Sequence, residues 1–209
     1  SLPVYYIRPQ LPNPLKTKVD FGFCTNENLY LCPQRLQKLH PDFDLILREI
    51  LNRDSNAYIL LISSGLRELD QRFLIRLNLD SKCSSRLHFL APMPRENFLN
   101  LLFISDVVLD PLHLSGINTS YEALAMGTPI VTMPGKFMRG RVTYGMYKKM
   151  NYDLCSVNTV EHYLGLALQL AQDKNFRSKV SQDILTKSHC LFEDPEALTE
   201  WERFLKQVV

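Results

Sequence analysis

The segment after Asp110 carries residue types that can bind a phosphate group. Its sequence is Asp-Pro-Leu-His-Leu-Ser-Gly-Ile-Asn-Thr-Ser-Tyr-Glu. We predict that a strand ends at Asp110 and that a loop containing Gly116 leads into a helix. The first N–H groups of a helix have no partner within it, and the helix dipole favours an anion there. The amides of Asn118, Thr119 and Ser120, with two hydroxyls beside them, therefore form a candidate diphosphate site.

The same residues also fit a purely structural role. Thr119 and Glu122 have the spacing of a capping box, in which each side chain satisfies a backbone donor at the helix start. A Ser-Gly loop before a helix is also common in α/β proteins. The residues alone leave ligand binding and capping about equally supported.

The elements around this loop predict an α/β fold. Apolar runs predict strands over 29–32, 57–62, 87–90, 106–109 and 129–133, with a possible opening strand over 2–6. Helical periodicity predicts helices over 40–51, 66–77, 95–104, 120–126, 142–150, 159–172 and 174–187. Strands that alternate with helices favour one doubly wound parallel sheet. Such sheets bind ligands beyond the carboxyl ends of their strands, where we expect the loop after Asp110 to lie.

The chain divides into three predicted parts. Prolines at positions 9, 12 and 14 favour an extended connector over residues 1–20. A Rossmann-like nucleotide-sugar-binding domain is predicted over 21–190. A C-terminal helix within 191–209 is expected to be capped by Asp194 with Pro195 at its first position. Its apolar side contains Trp201, Phe204 and Leu205.

The composition fits a globular protein and argues against some partner classes. Hydrophobic residues make up 45% of the 209 and charged residues 22%, and the net charge is +2. This balance gives no electrostatic basis for nucleic acid or an anionic membrane as a partner. There is no run of roughly 18 apolar residues, the length of a membrane helix, and no signal-peptide pattern at the start. The five cysteines are unpaired in spacing, so we expect free thiols in a reducing, cytoplasmic compartment.

The residues from Gly116 to Gly135 carry a family resemblance. A Gly-x-x-Thr-like loop, an acidic residue on the next helix and the string Gly-Thr-Pro-Ile-Val-Thr-Met-Pro-Gly follow in order. This pattern resembles the donor-binding lobe of the O-linked N-acetylglucosamine transferase/SPINDLY-like glycosyltransferases, which have the two-lobed GT-B fold. The resemblance extends from about residue 20 to residue 150. It implies the Rossmann-like C-terminal lobe of such an enzyme.

The resemblance assigns roles to residues in two further blocks. In the first, Lys38 corresponds to a lysine that contacts the donor diphosphate and stabilises the leaving group, and Arg35 to a polar donor contact. In the second, the family cups the base with backbone near Met93 and with side chains like Arg95 and Phe98. Without the resemblance, these residues would be interpreted as surface or core positions.

Within the phosphate segment, the resemblance assigns Glu122 to the ribose hydroxyls. The family often has histidine where this chain has Ile117, so one phosphate or sugar contact is either missing here or supplied by Asn118. Arg139 and Arg141 are further candidates for the diphosphate or the acceptor.

The function implied is transfer of a sugar, N-acetylglucosamine or another hexose, from a nucleoside diphosphate to a protein Ser/Thr hydroxyl. The resemblance favours a UDP-sugar as donor, although the residues leave uracil and guanine open. The resemblance implies metal-independent chemistry, so we expect no metal and no cofactor. The histidines show no base–orienter pair, so no general base is assigned. The expected partners are an N-terminal lobe and upstream helical repeats. A sugar-nucleotide epimerase of the same fold and a non-catalytic interaction module are the alternatives.

Overall fold

Five parallel strands form a single sheet in the computed structural model, which describes residue 2 and residues 4–208. The strands are β1 (Asn28–Cys32), β2 (Ala57–Ile62), β3 (Leu87–Leu90), β4 (Val107–Leu109) and β5 (Ile130–Val131). Their order across the sheet is β3-β2-β1-β4-β5, and every neighbouring pair is parallel. The predicted α/β, doubly wound parallel sheet is confirmed.

Helices connect the strands. They are α1 (Asp44–Arg53), α2 (Arg67–Leu77), α3 (Ser81–Ser84), α4 (Arg95–Ile104), α5 (Asn118–Ala125), α6 (Val142–Lys149), α7 (Val160–Gln172), α8 (Lys174–Lys187) and α9 (Pro195–Val208). Most begin and end within two residues of the prediction. The short α3, capped by Asp80, was not predicted. The predicted first helix divides into a 3₁₀ turn at Pro41–Phe43 and α1.

Strand β5 is shorter than the predicted strand over 129–133. The hydroxyl of Tyr147 accepts a hydrogen bond from Ile130 N and donates one to Ile130 O, each at 3.0 Å. Thr132 forms an isolated bridge to Ser156 instead of continuing the strand. The sheet therefore ends at β5, where a side chain takes the place of another strand.

Both faces of the sheet are covered. Consecutive strand residues point to opposite faces, and Leu29, Tyr30, Leu31 and Cys32 of β1 are all fully buried. Helix α7 packs against β1, β4, β5 and α1, while α5 packs against β5, α4 and α8. Continuous apolar runs such as that of β1 are expected in strands that are buried on both faces.

The N-terminal segment runs along the domain without forming a strand. Residue 2 and residues 4–6 are not in a sheet, which corrects the opening strand; residue 3 lies outside the described part. Tyr6 stacks on Tyr121 of α5 with ring centroids 4.7 Å apart. Glu193 donates its amide to Tyr6 O at 2.9 Å and accepts from Arg8 N at 3.1 Å. These contacts hold the connector against α5 and the turn before α9.

The C-terminal helix α9 begins as predicted. Asp194 accepts a hydrogen bond from Glu196 N at 3.1 Å, and Pro195 is the first helical residue. Leu198, Phe204 and Leu205 on its apolar side are about half exposed. Among the described residues, no helix combines the length and the hydropathy needed to cross a membrane.

Candidate ligand-binding site at the carboxyl edge of the sheet

The site lies where the strand order reverses. The chain steps outward from β1 to β3 on one side, then returns to β4 and β5 on the other. Loops leaving β1 and β4 therefore diverge and leave a crevice at their carboxyl ends, which is where open α/β sheets bind ligands. Gln34 follows β1, and Ser115 and Gly116 follow β4.

Asp110 fixes the loop after β4 from beneath. It accepts hydrogen bonds from Gly116 N at 2.8 Å and from the hydroxyls of Ser115 and Thr132, both at 2.7 Å. Burial raises the pKa of Asp110, and these three hydrogen bonds oppose that effect. The sequence placed Asp110 only at a strand end, so its role in holding the loop is a new finding.

A buried glutamine joins the β1 and β4 loops. Gln34 donates through Nε2 to Thr119 Oγ1 at 2.5 Å and accepts from Lys38 Nζ at 2.7 Å. Lys38 Nζ also lies 3.4 Å from Ser115 O. Burial lowers the pKa of Lys38, an effect that the nearby Asp110 carboxylate opposes. Lys38, Gly116 and Thr119 are thus brought together, and Gln34 is the residue that the sequence prediction missed.

Gly116 has no room for a side chain. A methyl group at its Cα would lie 2.8 Å from Thr119 Oγ1, 2.9 Å from Gln34 Nε2 and against Ser120 Oγ. Only glycine therefore allows the loop to pass this close to the polar groups at the start of α5.

The start of α5 does not contain a capping box. The residue before the helix is Ile117, and no side chain caps it. Thr119 is bonded to Gln34 instead, and Glu122 lies 3.2 Å from Arg95 Nε. The capping-box alternative for the Thr119/Glu122 pair is therefore wrong.

The amides at the start of α5 differ from the expectation in one place. Ser120 N donates to Ile117 O at 3.0 Å, and the buried Ser120 hydroxyl lies 2.8 Å from Thr143 Oγ1. Ser120 therefore stabilises the start of α5. Its amide is already hydrogen-bonded, whereas the sequence analysis predicted that it would be free to bind a phosphate. The amides of Asn118 and Thr119 are the first two of the helix and lack a partner in its ladder.

A second group of predicted residues lines a cleft at the ends of β1, β2 and β3. Arg35, Met93 and Phe98 line it, together with Ile62 and Ser63, and its volume is about 470 Å³. Phe98 is half-buried at the cleft wall and also packs against the core. The structure thus divides the predicted contacts between this cleft and the Lys38–Thr119 loops.

Arg95 and Glu122 form a third group. The Glu122 side chain is 10% exposed and that of Arg95 is 63% exposed, so a largely buried carboxylate is paired with an exposed cation. The hydrogen bond from Arg95 to Glu122 raises the pKa of the guanidinium. Burial, and after it the Glu122 charge, raises the pKa of the Tyr6 hydroxyl beside them.

The other two candidate cations, Arg139 and Arg141, pack on neighbouring aromatic rings. Arg139 lies over the Phe137 ring at 4.8 Å and Arg141 over the Tyr144 ring at 5.3 Å. It is the backbone carbonyl of Arg139 that holds the loop, accepting from Ser115 N at 2.8 Å. Both guanidinium groups are exposed.

Two histidines, His113 and His40, share Asp42 as an acidic partner, whereas the sequence indicated no base–orienter pair. His113 Nε2 lies 2.7 Å from Asp42 Oδ2, although the two residues are 71 positions apart. The sequence could not pair them because one precedes α1 and the other follows β4.

Known proteins were compared with the chain. No family model matches it. A barley (Hordeum vulgare) protein described as a probable UDP-N-acetylglucosamine–peptide N-acetylglucosaminyltransferase SPINDLY is 34% identical over 70 residues, which are 34% of this chain and 7% of that protein. The chain thus spans less than a tenth of this relative.

Solved structures match over much more of the chain. An O-GlcNAc transferase mutant from Thermobaculum terrenum has a TM-score of 0.77 at 25% identity, covering 98% of this chain and 37% of that one. A trehalose-6-phosphate synthase gives 0.69 at 16% identity, covering 100% and 51%. A putative UDP-N-acetylglucosamine 2-epimerase from Listeria monocytogenes gives 0.56 at 17% identity, covering 81% and 43%. In sequence and fold, the chain is thus similar to the C-terminal lobe of O-GlcNAc transferase-like glycosyltransferases with the two-lobed GT-B fold.

Proposed function

We propose that this chain binds the nucleotide-sugar donor of a glycosyltransferase, with a UDP-sugar as the donor. The observation that supports this most directly is the convergence of Lys38, Gln34, Gly116 and Thr119 at the switch point of the sheet. A cation, a glycine without room for a side chain and unpaired helix amides together suit a diphosphate.

The diphosphate lies, in this proposal, between Lys38 and the start of α5. Sugar transfer leaves negative charge on the departing nucleoside diphosphate, and a fixed cation with helix amides stabilises that charge without a metal. Lys38 supplies the cation, and the amides of Asn118 and Thr119 supply the donors. Gln34 sets the position of both the Lys38 ammonium and the Thr119 hydroxyl.

The nucleoside extends from the phosphate towards the cleft. Its base packs in the space lined by Arg35, Met93 and Phe98, with main-chain groups near Met93 contacting its edge. The Glu122 carboxylate accepts hydrogen bonds from the ribose hydroxyls. For this contact, the exposed Arg95 side chain must swing away from Glu122 and towards the base.

The acceptor in this proposal is a protein Ser/Thr hydroxyl, and a second, N-terminal lobe completes the enzyme. The chain covers 37% of the matched O-GlcNAc transferase, and the barley protein is described as a probable peptide N-acetylglucosaminyltransferase. Exposed apolar residues at Ile117, Met138 and along α9 provide surface for another lobe. No residue of this chain is assigned as the general base. The free cysteines suit a reducing, cytoplasmic location.

Transfer is favoured over epimerisation and over a purely structural role. The epimerase match is weaker, with a TM-score of 0.56 against 0.77. A non-catalytic module would have no need for a glycine that excludes a side chain beside the partly exposed Lys38–Gln34–Thr119 chain.

The test is thermal unfolding of the chain with UDP, GDP, UDP-N-acetylglucosamine or GDP-fucose. A ligand at about 100 times its Kd raises the free energy of unfolding by about 2.7 kcal/mol, which shifts the midpoint visibly. We expect a shift with the uridine ligands, its loss in Lys38→Ala, and its retention in the control Lys136→Ala, which alters an exposed lysine. A shift with guanosine ligands alone would overturn the UDP assignment. Absence of any shift with the folded chain would overturn donor binding by this lobe.

A further inference from the structure

Three potential metal ligands form a cluster beside the loop between β4 and α5. His113 Nε2 is 2.7 Å from Asp42 Oδ2, and His40 Nδ1 is 3.3 Å from the same oxygen. The two imidazole rings are nearly perpendicular, with centroids 4.8 Å apart. One ligand atom from each residue lies within 4.8 Å of those of the other two. All three side chains are more than half exposed, so an ion can reach them.

We propose that His40, Asp42 and His113 bind a divalent transition-metal ion. Two imidazoles and a carboxylate form a ligand set suited to zinc and its neighbours rather than to magnesium or calcium, which prefer oxygen ligands alone. Three protein ligands leave a further coordination position to water. The three ligands cannot be recognised as a set from the sequence, because His113 belongs to a different loop from His40 and Asp42.

The backbone holds each histidine in a defined place. His40 caps the 3₁₀ turn Pro41–Phe43, with its side chain accepting from Asp42 N at 3.2 Å. His113 has φ of +70°, a left-handed conformation that is uncommon outside glycine and that asparagine, aspartate and histidine adopt more often than other residues. Its carbonyl passes so close to Gly140 that a methyl group there would lie 3.0 Å from His113 O. With the backbone in this position, the His113 ring contacts Asp42 through Nε2.

The ion would connect the two loops of the donor site. Asp42 follows Lys38 by four residues, and His113 precedes Gly116 by three. A metal held by both segments fixes the distance between the Lys38 turn and the β4–α5 loop. This consequence rests on the proposed function, whereas metal binding itself does not.

The experiment is calorimetric titration of the chain with Zn²⁺, carried out in a Cys24→Ser background to remove an exposed thiol. The test variants are His40→Asn and His113→Asn. Asparagine preserves helix capping at position 40 and tolerates the left-handed backbone at position 113, so both variants should fold. His162→Asn and His189→Asn are the matched controls, because both alter exposed histidines outside the cluster.

We expect one Zn²⁺ per chain, with affinity at least about tenfold weaker in each test variant, since even outer-shell changes weaken metal sites by 10- to 100-fold. The controls should match the parent. Thermal unfolding should show a Zn²⁺-dependent rise in midpoint that both test variants lose. Failure to saturate, or equal affinity in the parent and both test variants, would overturn the site. If the parent chain binds Zn²⁺ but does not bind UDP, only the proposed function is refuted.

Discussion

At the scale of single residues, the loop after β4 is held by two buried polar side chains that differ in the hydrogen bonds they form. Asp110 only accepts, and it collects three donors from the loop and from β5's neighbour Thr132. Gln34 uses both ends of its amide, accepting from Lys38 and donating to Thr119. Together they hold the loop after β4 in place and link it to the segment after β1.

Gly116 is the residue at which the smallest change should have the largest effect. In Gly116→Ala, the new methyl group meets Gln34, Thr119 and Ser120. We expect a loss of about 1–3 kcal/mol of stability from overpacking and loss of the UDP-dependent shift in unfolding midpoint. Urea unfolding with and without UDP measures both effects.

Gly165→Ala is the matched control for this substitution. Gly165 lies within α7, and a methyl group there meets no atom within 4 Å. The control should be stabilised by up to about 1 kcal/mol through helix propensity and should retain its UDP response. Equal behaviour of the two variants would contradict the steric argument.

At the scale of elements, the beginnings of α5 and α7 show what a threonine near a helix start can do. Thr159 caps α7 by accepting from His162 N at 3.2 Å. Thr119 lies inside α5 and bonds across to Gln34 on another segment. The same residue type therefore stabilises a helix in one place and shapes a pocket in the other.

This difference predicts opposite results for two similar substitutions. Thr159→Ala should lower the free energy of unfolding by about 1 kcal/mol, the usual cost of losing a cap, with UDP affinity unchanged. Thr119→Ala should weaken UDP binding and cost less stability than Thr159→Ala. Denaturant midpoints and UDP titrations on both variants provide the comparison. A larger stability loss in Thr119→Ala than in Thr159→Ala would mean that Thr119 serves mainly to hold the helix.

The strands and helices could be predicted largely from sequence, whereas the site could be predicted only in part. A run such as AYILLI in β2 is buried on both faces and leaves little choice of structure. Thr119 could be identified from its place at a predicted helix start and Lys38 from the family resemblance, but only the structure shows that Gln34 joins them. Gln34 and Asp42 were missed because their partners are 85 and 71 positions away. Ser120 was misjudged because its contact with Thr143 depends on how α6 packs.

At the scale of the whole molecule, one carboxylate ties three distant parts of the chain to the sheet. Asp106, at the start of β4, accepts from Leu29 N at 2.7 Å and pairs with Lys18 at 2.6 Å and Arg177 at 2.9 Å. Lys18 belongs to the N-terminal segment and Arg177 to α8. Asp106 is 3% exposed, so these ion pairs are largely shielded from solvent.

Asp106→Asn should therefore destabilise the whole fold. The substitution leaves two largely buried cations without their counter-charge, at a cost of about 3 kcal/mol. Glu161→Gln is the control, because it removes an exposed partner of Arg53; exposed pairs contribute little. Urea unfolding should show a large shift in midpoint for the first variant and almost none for the second. Similar shifts for both would contradict the role given to Asp106.

The strand order also has a consequence for how proteins of this shape diverge. The cleft proposed for the base lies at the ends of β1, β2 and β3, whereas the proposed phosphate pocket centres on the loop after β4. The segment after β1 contributes to both, with Arg35 in the cleft and Gln34 and Lys38 beside the loop after β4. In the proposed assignment, changes in nucleotide preference can accumulate at the ends of β2 and β3 without disturbing the residues that hold the diphosphate. A lineage can thus acquire a new donor by mutation on one side of the sheet while it inherits the leaving-group chemistry unchanged on the other.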